Sequence, residues 1–312
     1  LALSASGLTS AATVDSVRNV FQLNVYRPPA IFLDEPLDTC RRCDLGAQAG
    51  LRLVLVIRAN GRASPTVPPS RADPTLVTYR EQVGAVLDRY PGSVEVLVVE
   101  NEVDDDATSW AGTAGEYLTQ LAAACEVAHA RSVPCADSGL STRGLVTVMT
   151  REALDNGENA RAVDLWGRLN HNPAVTEQAV RAALSNPSIS NEIADTRALV
   201  RGLAAAGVDL VNFHHLHRDV PLLNHVIAWL RATVPTVPVF TSELGQGSRT
   251  DAGCDPDPQE TRDKLHAVKD ARLALCVWLS QDIPGRSCGL TGADGVMREA
   301  GVAFYNVVIA GL

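Results

Sequence analysis

Two stretches of this 312-residue chain run from apolar residues straight into carboxylates. "VEVLVVENEVDD", from Val94, ends on Glu100, Asn101 and Glu102, and "VPVFTSELG", from Val237, contains Glu243. Core packing alone does not ask for this, because a polar group turned inward needs a partner to offset its lost hydration. If both runs are strands opening on one mouth, Glu102 and Glu243 face each other although they are far apart in sequence. Two facing carboxyls suit glycosidic bond cleavage: one gives a proton to the leaving oxygen, and the other stabilises or attacks the oxocarbenium-like carbon. The acid needs burial or a nearby carboxylate, and the nucleophile needs hydrogen bonds from Arg, Asn or His that keep it ionised. Arg27, Arg58 and His214 are candidate donors, each near the end of another apolar run.

The elements that must position these groups follow from periodicity. "FQLNVYR" (21–27), "LRLVLVIR" (51–58), "VEVLVV" (94–99), "VPCADS" (133–138), "VDLVNFHH" (208–215), "VPVFTSE" (237–243) and "LALCVWLS" (273–280) read as buried parallel strands, with an eighth in "LALSAS" at the start. Amphipathic stretches such as "LVTYREQVGAVLDRY", "EYLTQLAAACEVAHA" and "PLLNHVIAWLRA" lie between them, and glycines close helices in "AQAGLRL" and "AAAGVDL". Repeated βα units without a linker predict a single (β/α)8 barrel over residues 1–312. The rival is a doubly wound open sheet, but neither GxGxxG nor GxxxxGK[ST] follows any strand. Residues 145–205 are too long for one crossover helix, so a helical insertion after strand five should wall one side of the site, with "LWGRLNHNP" its most exposed part. A barrel gathers its chemistry at the carboxyl ends of the strands, where Arg27, Arg58, Asn101, Glu102, Asp137, His214, His215, Glu243 and Trp278 fall.

At this point the chain resembles the clan A glycoside hydrolases, (β/α)8 enzymes that include families 5 and 39. In that pattern Asn-Glu ends strand four and a second Glu ends strand seven, matching "VENE" and "FTSELG". "WAGTAGEYL" after strand four, a histidine on strand six, a Trp on strand eight and the closing "CGLTGADGVMREAGVAF" extend the similarity from about Phe21 onward. The resemblance implies a retaining β-glycosidase in which Glu102 is the general acid/base, Glu243 the nucleophile and Asn101 the group that holds the sugar 2-hydroxyl. His214 would line the cleaving subsite, Trp278 would be the floor on which a pyranose stacks, and Arg27 or Arg58 would hold Glu243 ionised. One position departs from the pattern: a tyrosine often follows the strand-six histidine by two, and here Leu216 stands there. A barrel that binds carbohydrate without cleaving it is therefore the alternative.

Other signals are weaker. "DDD" (104–106) reads as a solvated loop or helix start, and Trp110 either as a sugar platform or as loop packing. In "HHLH", His215 and His217 alternate and could share an ion, but metal-binding barrels of the amidohydrolase type carry such a pair on strand one, not six, so no metal or cofactor is expected. "CRRC" has metal or redox spacing without a second CxxC, which favours a local disulfide or free thiols, and Cys254 could bridge Cys288. Those cysteines, and a chain that starts at Leu1, favour a secreted or periplasmic protein over a cytoplasmic one. A net charge of −9 argues against nucleic acid as a partner, and no apolar run approaches the roughly 20 residues of a membrane span. Carbohydrate is the expected partner, and an aromatic content of 4% favours a short site over a long polysaccharide cleft.

Overall fold

The computed structural model describes residues 2–4, 18–19, 21–37, 40–60, 65–104, 109–247, 256–279, 287–292 and 296–311. Each of the eight expected runs contains a strand: β1 (Ala2–Ser4), β2 (Val25–Arg27), β3 (Arg52–Arg58), β4 (Val94–Val99), β5 (Cys135–Ala136), β6 (Val211–His215), β7 (Val239–Leu244) and β8 (Cys276–Leu279). They pair in parallel in the order β5-β4-β3-β2-β1-β8-β7-β6, and Ile31–Phe32 adds a short pairing beside the end of β3. The two outermost strands of that order are also bridged, Ala136 with Leu210 and Leu140 with Phe213, both parallel.

Alternation along the strands sorts their side chains into two layers. Val25, Val54, Val56, Val96, Val98, Ala136, Phe240 and Val277 form an apolar cluster whose buried members are all strand residues. Their neighbours Leu53, Leu55, Leu97, Phe213 and Trp278 face the other way and join the larger cluster with the helices. The helices are α1 (Arg41–Gln48), α2 (Val77–Arg89), α3 (Ala114–His129), α4 (Thr142–Asp155), α5 (Asn159–Leu169), α6 (Glu177–Leu184), α7 (Pro187–Gly202), α8 (Val220–Thr233), α9 (Pro258–Asp270) and α10 (Glu299–Tyr305). Four of them, α4 to α7, lie between β5 and β6. "LWGRLNHNP" divides there: Leu165 and Gly167 are buried in α5, and only Asn170 to Pro173 are exposed. No helix among the described residues is long and apolar enough to cross a membrane.

β5 is the shortest of the expected strands, and the reason is chemical. Pro134 has no N–H to give a ladder, and beyond Ala136 the carboxylate of Asp137 takes over from the backbone. Its Oδ1 accepts from Asn212 N at 2.6 Å, while Asn212 Nδ2 donates to Asp137 O at 3.2 Å. Asp137 is thus a fully buried tie between the β5 and β6 segments, not a group open to a ligand as its position at a strand end suggests. The same segment is tied to α3 by a Cys125–Cys135 disulfide, and Cys40 and Cys43 of "CRRC" are bonded to each other. The suggested partner of Cys288, Cys254, lies outside the described residues.

Burial pushes Asp137 up to about 7, against the N–H donors that favour its charged form. A carboxyl whose folded pKa exceeds its unfolded value adds stability that is complete below the unfolded pKa and is lost as pH rises through the folded one. Asp137→Asn keeps an acceptor for Asn212 N but cannot titrate. In urea unfolding, the stability of the wild type relative to Asp137→Asn is expected to be larger at pH 5 than at pH 8, by on the order of 2 kcal/mol. Equal differences at the two pH values would show that Asp137 does not titrate in the fold.

Candidate active site

The ends of β6 and β7 are brought together by a register shift. Phe213 pairs with Thr241 but His214 pairs with Glu243, so Ser242 is an extra residue in β7. Such a bulge re-aims the side chains beside it, and here it lets both Ser242 and Glu243 reach His214. Glu102 arrives from the turn after β4, where Glu100 and Glu102 have φ of +67° and +46°, a left-handed backbone that costs a non-glycine residue on the order of 1 kcal/mol. Glu102 N donates to Ser138 O at 3.2 Å, which anchors that turn to the segment after β5.

The result is a compact cluster. One oxygen of Glu102, one of Glu243 and a ring nitrogen of His214 lie within 4.8 Å of one another. His214 Nδ1 is 3.0 Å from Glu102 Oε1 and 3.8 Å from Glu243 Oε2, and Arg27 Nη2 donates to Glu243 Oε1 at 2.7 Å. The Glu102 and Glu243 side chains are 13% and 15% exposed and His214 only 2%, so the carboxylates meet solvent while the ring between them does not. Burial and Arg27 both act to lower the pKa of His214, but the charges of Glu243 and Glu102 outweigh them and leave it above the ordinary histidine value.

A buried network sets which ring nitrogen does what. Ser242 N donates to Asn212 Oδ1 at 2.9 Å, which fixes the amide so that Nδ2 donates to Ser242 Oγ at 2.8 Å. Ser242 Oγ is 3.0 Å from His214 Nε2. With one lone pair occupied by Asn212, the hydroxyl gives its proton to a neutral imidazole or accepts one from an imidazolium. In both cases Nδ1–H is left to face Glu102 Oε1. Gly139, at φ +79°, makes room for the ring: a Cβ there would sit 2.1 Å from His214 Nε2. Glu102, Glu243 and His214 are also the one such group of described residues whose ligand atoms lie close enough to share a cation, and Arg27 places a fixed positive charge beside Glu243.

The other residues singled out in the sequence separate into near and far. Asn101 is half-buried on the same turn as Glu102. Arg58 is drawn elsewhere: its Nη2 donates to Thr66 Oγ1 at 2.6 Å and its Nε lies 3.7 Å from the fully buried Glu100, so Arg27 alone of the two arginines meets Glu243. Glu100, pushed up to about 7 by burial, also accepts from Ala59 N and Gln120. Trp278 is not a platform in this structure. Alternation turns it to the helix-facing layer, where it is fully buried and packs edge-on against Phe304 of α10. Trp110 is likewise 2% exposed, against Tyr117 of α3, which is loop packing and leaves no open face.

In "HHLH", His215 is fully buried with Nδ1 3.1 Å from Thr142 Oγ1. His217 accepts from Asp219 N at Nδ1 and reaches Leu169 O through Nε2, so both its nitrogens are occupied. The acidic run is not simply solvated. Asp104 is buried and accepts from the N–H and hydroxyl of Ser141, the N-cap of α4, while Asp105 and Asp106 lie outside the described residues. Sequence reading passed over Asn212, Ser242 and Gly139. The first two could have been found, because each stands two residues before His214 or one before Glu243 in a run otherwise made of core residues. It also passed over Lys264, a fully buried lysine of α9 that donates to Gly245 O and lies 2.9 Å from Glu260, holding the chain just beyond Glu243.

No family model and no curated protein matches the sequence. Solved structures do match in fold. An endo-β-1,3-glucanase of glycoside hydrolase family 128 from Sorangium cellulosum shares 16% identity at a TM-score of 0.56, over 97% of each chain. A glucosidase from Croceicoccus marinus shares 11% at 0.62, over 98% of this chain and 66% of its own. A family 39 β-xylosidase from Caulobacter crescentus shares 13% at 0.60, over 98% of this chain and 70% of its own. The fold is that of these glycoside hydrolases: α/β, with a parallel sheet.

Gly139→Ala brings a methyl group into the His214 ring at a backbone angle that alanine resists. Its expected cost is about 2–4 kcal/mol in urea unfolding, together with a shift of the His214 ring resonances in NMR. Unchanged resonances would mean that the ring does not depend on that gap.

Proposed function

We propose that the chain is a retaining β-glycosidase, acting by double displacement from a single closed (β/α)8 barrel domain with a helical insertion after strand five. The observation that carries this reading is the pair Glu102 and Glu243, with oxygens within 4.8 Å, bracketed by His214 and Arg27. An oxygen of each within 4.8 Å fits the carboxyl separation of about 5–5.5 Å used in retention. The bridges of Ala136 to Leu210 and Leu140 to Phe213 support closure of the sheet. The four helices between β5 and β6 support the insertion.

In this mechanism Glu243 attacks the anomeric carbon while Glu102 delivers a proton to the departing oxygen, giving a glycosyl–enzyme ester and the free aglycone. Water then attacks the same carbon, Glu102 takes its proton, and Glu243 leaves as a carboxylate, so the configuration is restored. Arg27 balances the charge of Glu243 before and after the ester exists. His214 and Glu102 adjust together, since the Ser242 hydroxyl bonds to Nε2 whether or not that nitrogen carries a proton. Asn101, on the Glu102 turn, is placed to meet the sugar 2-hydroxyl. Two disulfides in the structure support an exported protein. Two of the neighbouring structures, from Amycolatopsis mediterranei and Saccharophagus degradans, are complexes with laminaripentaose and cellotetraose, which supports an oligosaccharide as the partner.

A second reading, a barrel that binds saccharide without cleaving it, has its own support. Leu216 replaces the tyrosine of the family pattern, and the buried Trp278 offers no stacking face. A panel of nitrophenyl β-glycosides separates the two. Turnover of at least one member is expected, with the β-anomer of the sugar appearing first by NMR and a loss of about 10⁴-fold or more in Glu243→Ala. Glu102→Ala should keep the first step for good leaving groups and regain product release with azide, as a β-glycosyl azide. Undiminished turnover in Glu243→Ala removes the mechanism, and saccharide binding without any product favours the second reading.

A further inference from the structure

Asn212 of β6 and Ser242 of β7 are fully buried polar side chains, and neither is open to a substrate. Burying an amide and a hydroxyl costs free energy unless their donors and acceptors are met. Here they are met in one way. The backbone N–H of Ser242 can only donate, and it lies 2.9 Å from the Asn212 amide, so the atom it meets is Oδ1. The other end of the amide is Nδ2, and its two protons go to Asp137 O at 3.2 Å and Ser242 Oγ at 2.8 Å. Asn212 N, bonded to Asp137 Oδ1 at 2.6 Å, holds the same residue from the backbone side. The Ser242 hydroxyl keeps its own proton to give, and among the described residues the acceptor it reaches is His214 Nε2 at 3.0 Å.

A neutral His214 bonded in this way accepts at Nε2 and carries its proton on Nδ1. Nδ1 is 3.0 Å from Glu102 Oε1 and 3.8 Å from Glu243 Oε2, so the N–H is bonded to Glu102. In a protonated carboxyl the carbonyl oxygen is the better acceptor. With Oε1 receiving Nδ1–H, the proton that Glu102 carries therefore sits on Oε2. The opposite tautomer, with the proton on Nε2 and a bare Nδ1, would invert the relation: Glu102 would point its proton at the ring through Oε1 and have none for a leaving group. A histidine in the wrong tautomer disables proton transfer even where the geometry is kept.

We propose that Ser242, oriented by Asn212, is a positioning residue that fixes the Nδ1–H tautomer of His214 and so makes Glu102 Oε2 the atom that protonates the leaving oxygen. The proposal rests on the reading of Glu102 as the acid/base and adds which oxygen acts and what keeps it available. As the glycosidic C–O bond breaks and the bond to Glu243 forms, the proton passes from Oε2 to the leaving oxygen. Glu102 is left as a carboxylate that still accepts from Nδ1–H.

The test uses the full chain with Ser242→Ala, which removes the hydroxyl but keeps the backbone N–H that orients Asn212; circular dichroism checks the fold. Long-range proton–nitrogen NMR of histidine-labelled protein reads the tautomer at a pH where His214 is neutral, and His214→Gln identifies its signal among the seven histidines. The wild type is expected to show Nδ1–H, and Ser242→Ala to populate Nε2–H. Nε2–H in the wild type, or an unchanged tautomer in the variant, overturns the proposal. The kinetic arm compares aryl glycosides of a sugar that the wild type turns over. In Ser242→Ala, kcat/KM is expected to fall about tenfold or more for the phenyl glycoside and only about twofold for the 2,4-dinitrophenyl glycoside, whose leaving group needs little acid assistance. An equal loss on both, as a purely structural role would give, also overturns it. The two readings fail separately: a wild type that turns over no glycoside removes the glycosidase mechanism and the role of Oε2 with it, whereas turnover by the wild type with an unchanged tautomer in Ser242→Ala removes the role of Ser242 alone.

Discussion

Two carboxylates with oxygens within 4.8 Å, in a mouth that lets little water in, repel each other unless positive charge is placed between them. That constraint organises the face of the protein on which they sit. Arg27 answers it from β2 with a fixed charge on Glu243, and His214 from β6 with a ring N–H directed at Glu102. For His214 to reach the gap the ring must be buried and held on edge, which is why Gly139 has no side chain and why Ser242 and Asn212 are polar in the middle of apolar strands. For Glu243 to reach it, β7 takes an extra residue. For Glu102 to reach it, the chain after β4 accepts two residues with left-handed backbone. Each irregularity costs some stability, and each aims one side chain at the same point.

Stiffness for this arrangement comes from behind. The segment after Glu243 is gripped by side chains of α9 and the β6–α8 loop: Lys264 on Gly245 O, Arg218 on Gly247 O, and Gln246 bonded to Asp257 and Thr261. On the other flank, Asp137 ties β5 to β6, and the Cys125–Cys135 disulfide ties β5 to α3. Buried ionic groups of this kind do little for net stability when weighed against apolar packing, because their desolvation offsets most of the attraction. What they supply is a single position for a strand end, which the proposed chemistry would need, since a misplacement of about an ångström costs much of a reacting group's effect.

How much of this is legible in the sequence depends on whether the signal is periodic. The eight strands could be read because buried parallel strands are apolar throughout, and Glu102 and Glu243 stood out because acids end two of those runs. The direction in which each side chain points was less accessible. Trp278 sits at a strand end like the others, yet it is an even number of residues from Cys276, on the helix-facing layer, so it packs with Phe304 instead of lining the mouth. Arg58 and Arg27 end equivalent strands, and only the left-handed turn at Glu100, which brings its carboxylate next to Arg58, separates their fates. Asp137 is at the proper end of β5, but the strand stops at Ala136 and the carboxylate replaces the missing ladder bond. Bulges and left-handed turns carry no pattern of their own, because they are set by what lies across the sheet and not by neighbours in sequence.

With Trp278 and Trp110 both in the core, neither gives the region around the carboxylate pair an indole face, so under the proposed reading sugar recognition there would rest on hydrogen bonds and charge. Polar recognition of this sort is selective in a way that stacking is not, since a buried donor left without its partner costs more than an apolar contact forgone. The groups available for it are arginines and histidines held by carbonyls and carboxylates on several elements, so their positions are set before a ligand arrives. Under the proposed reading, a site built this way would give up breadth of substrate for discrimination among sugars that differ in a single polar substituent.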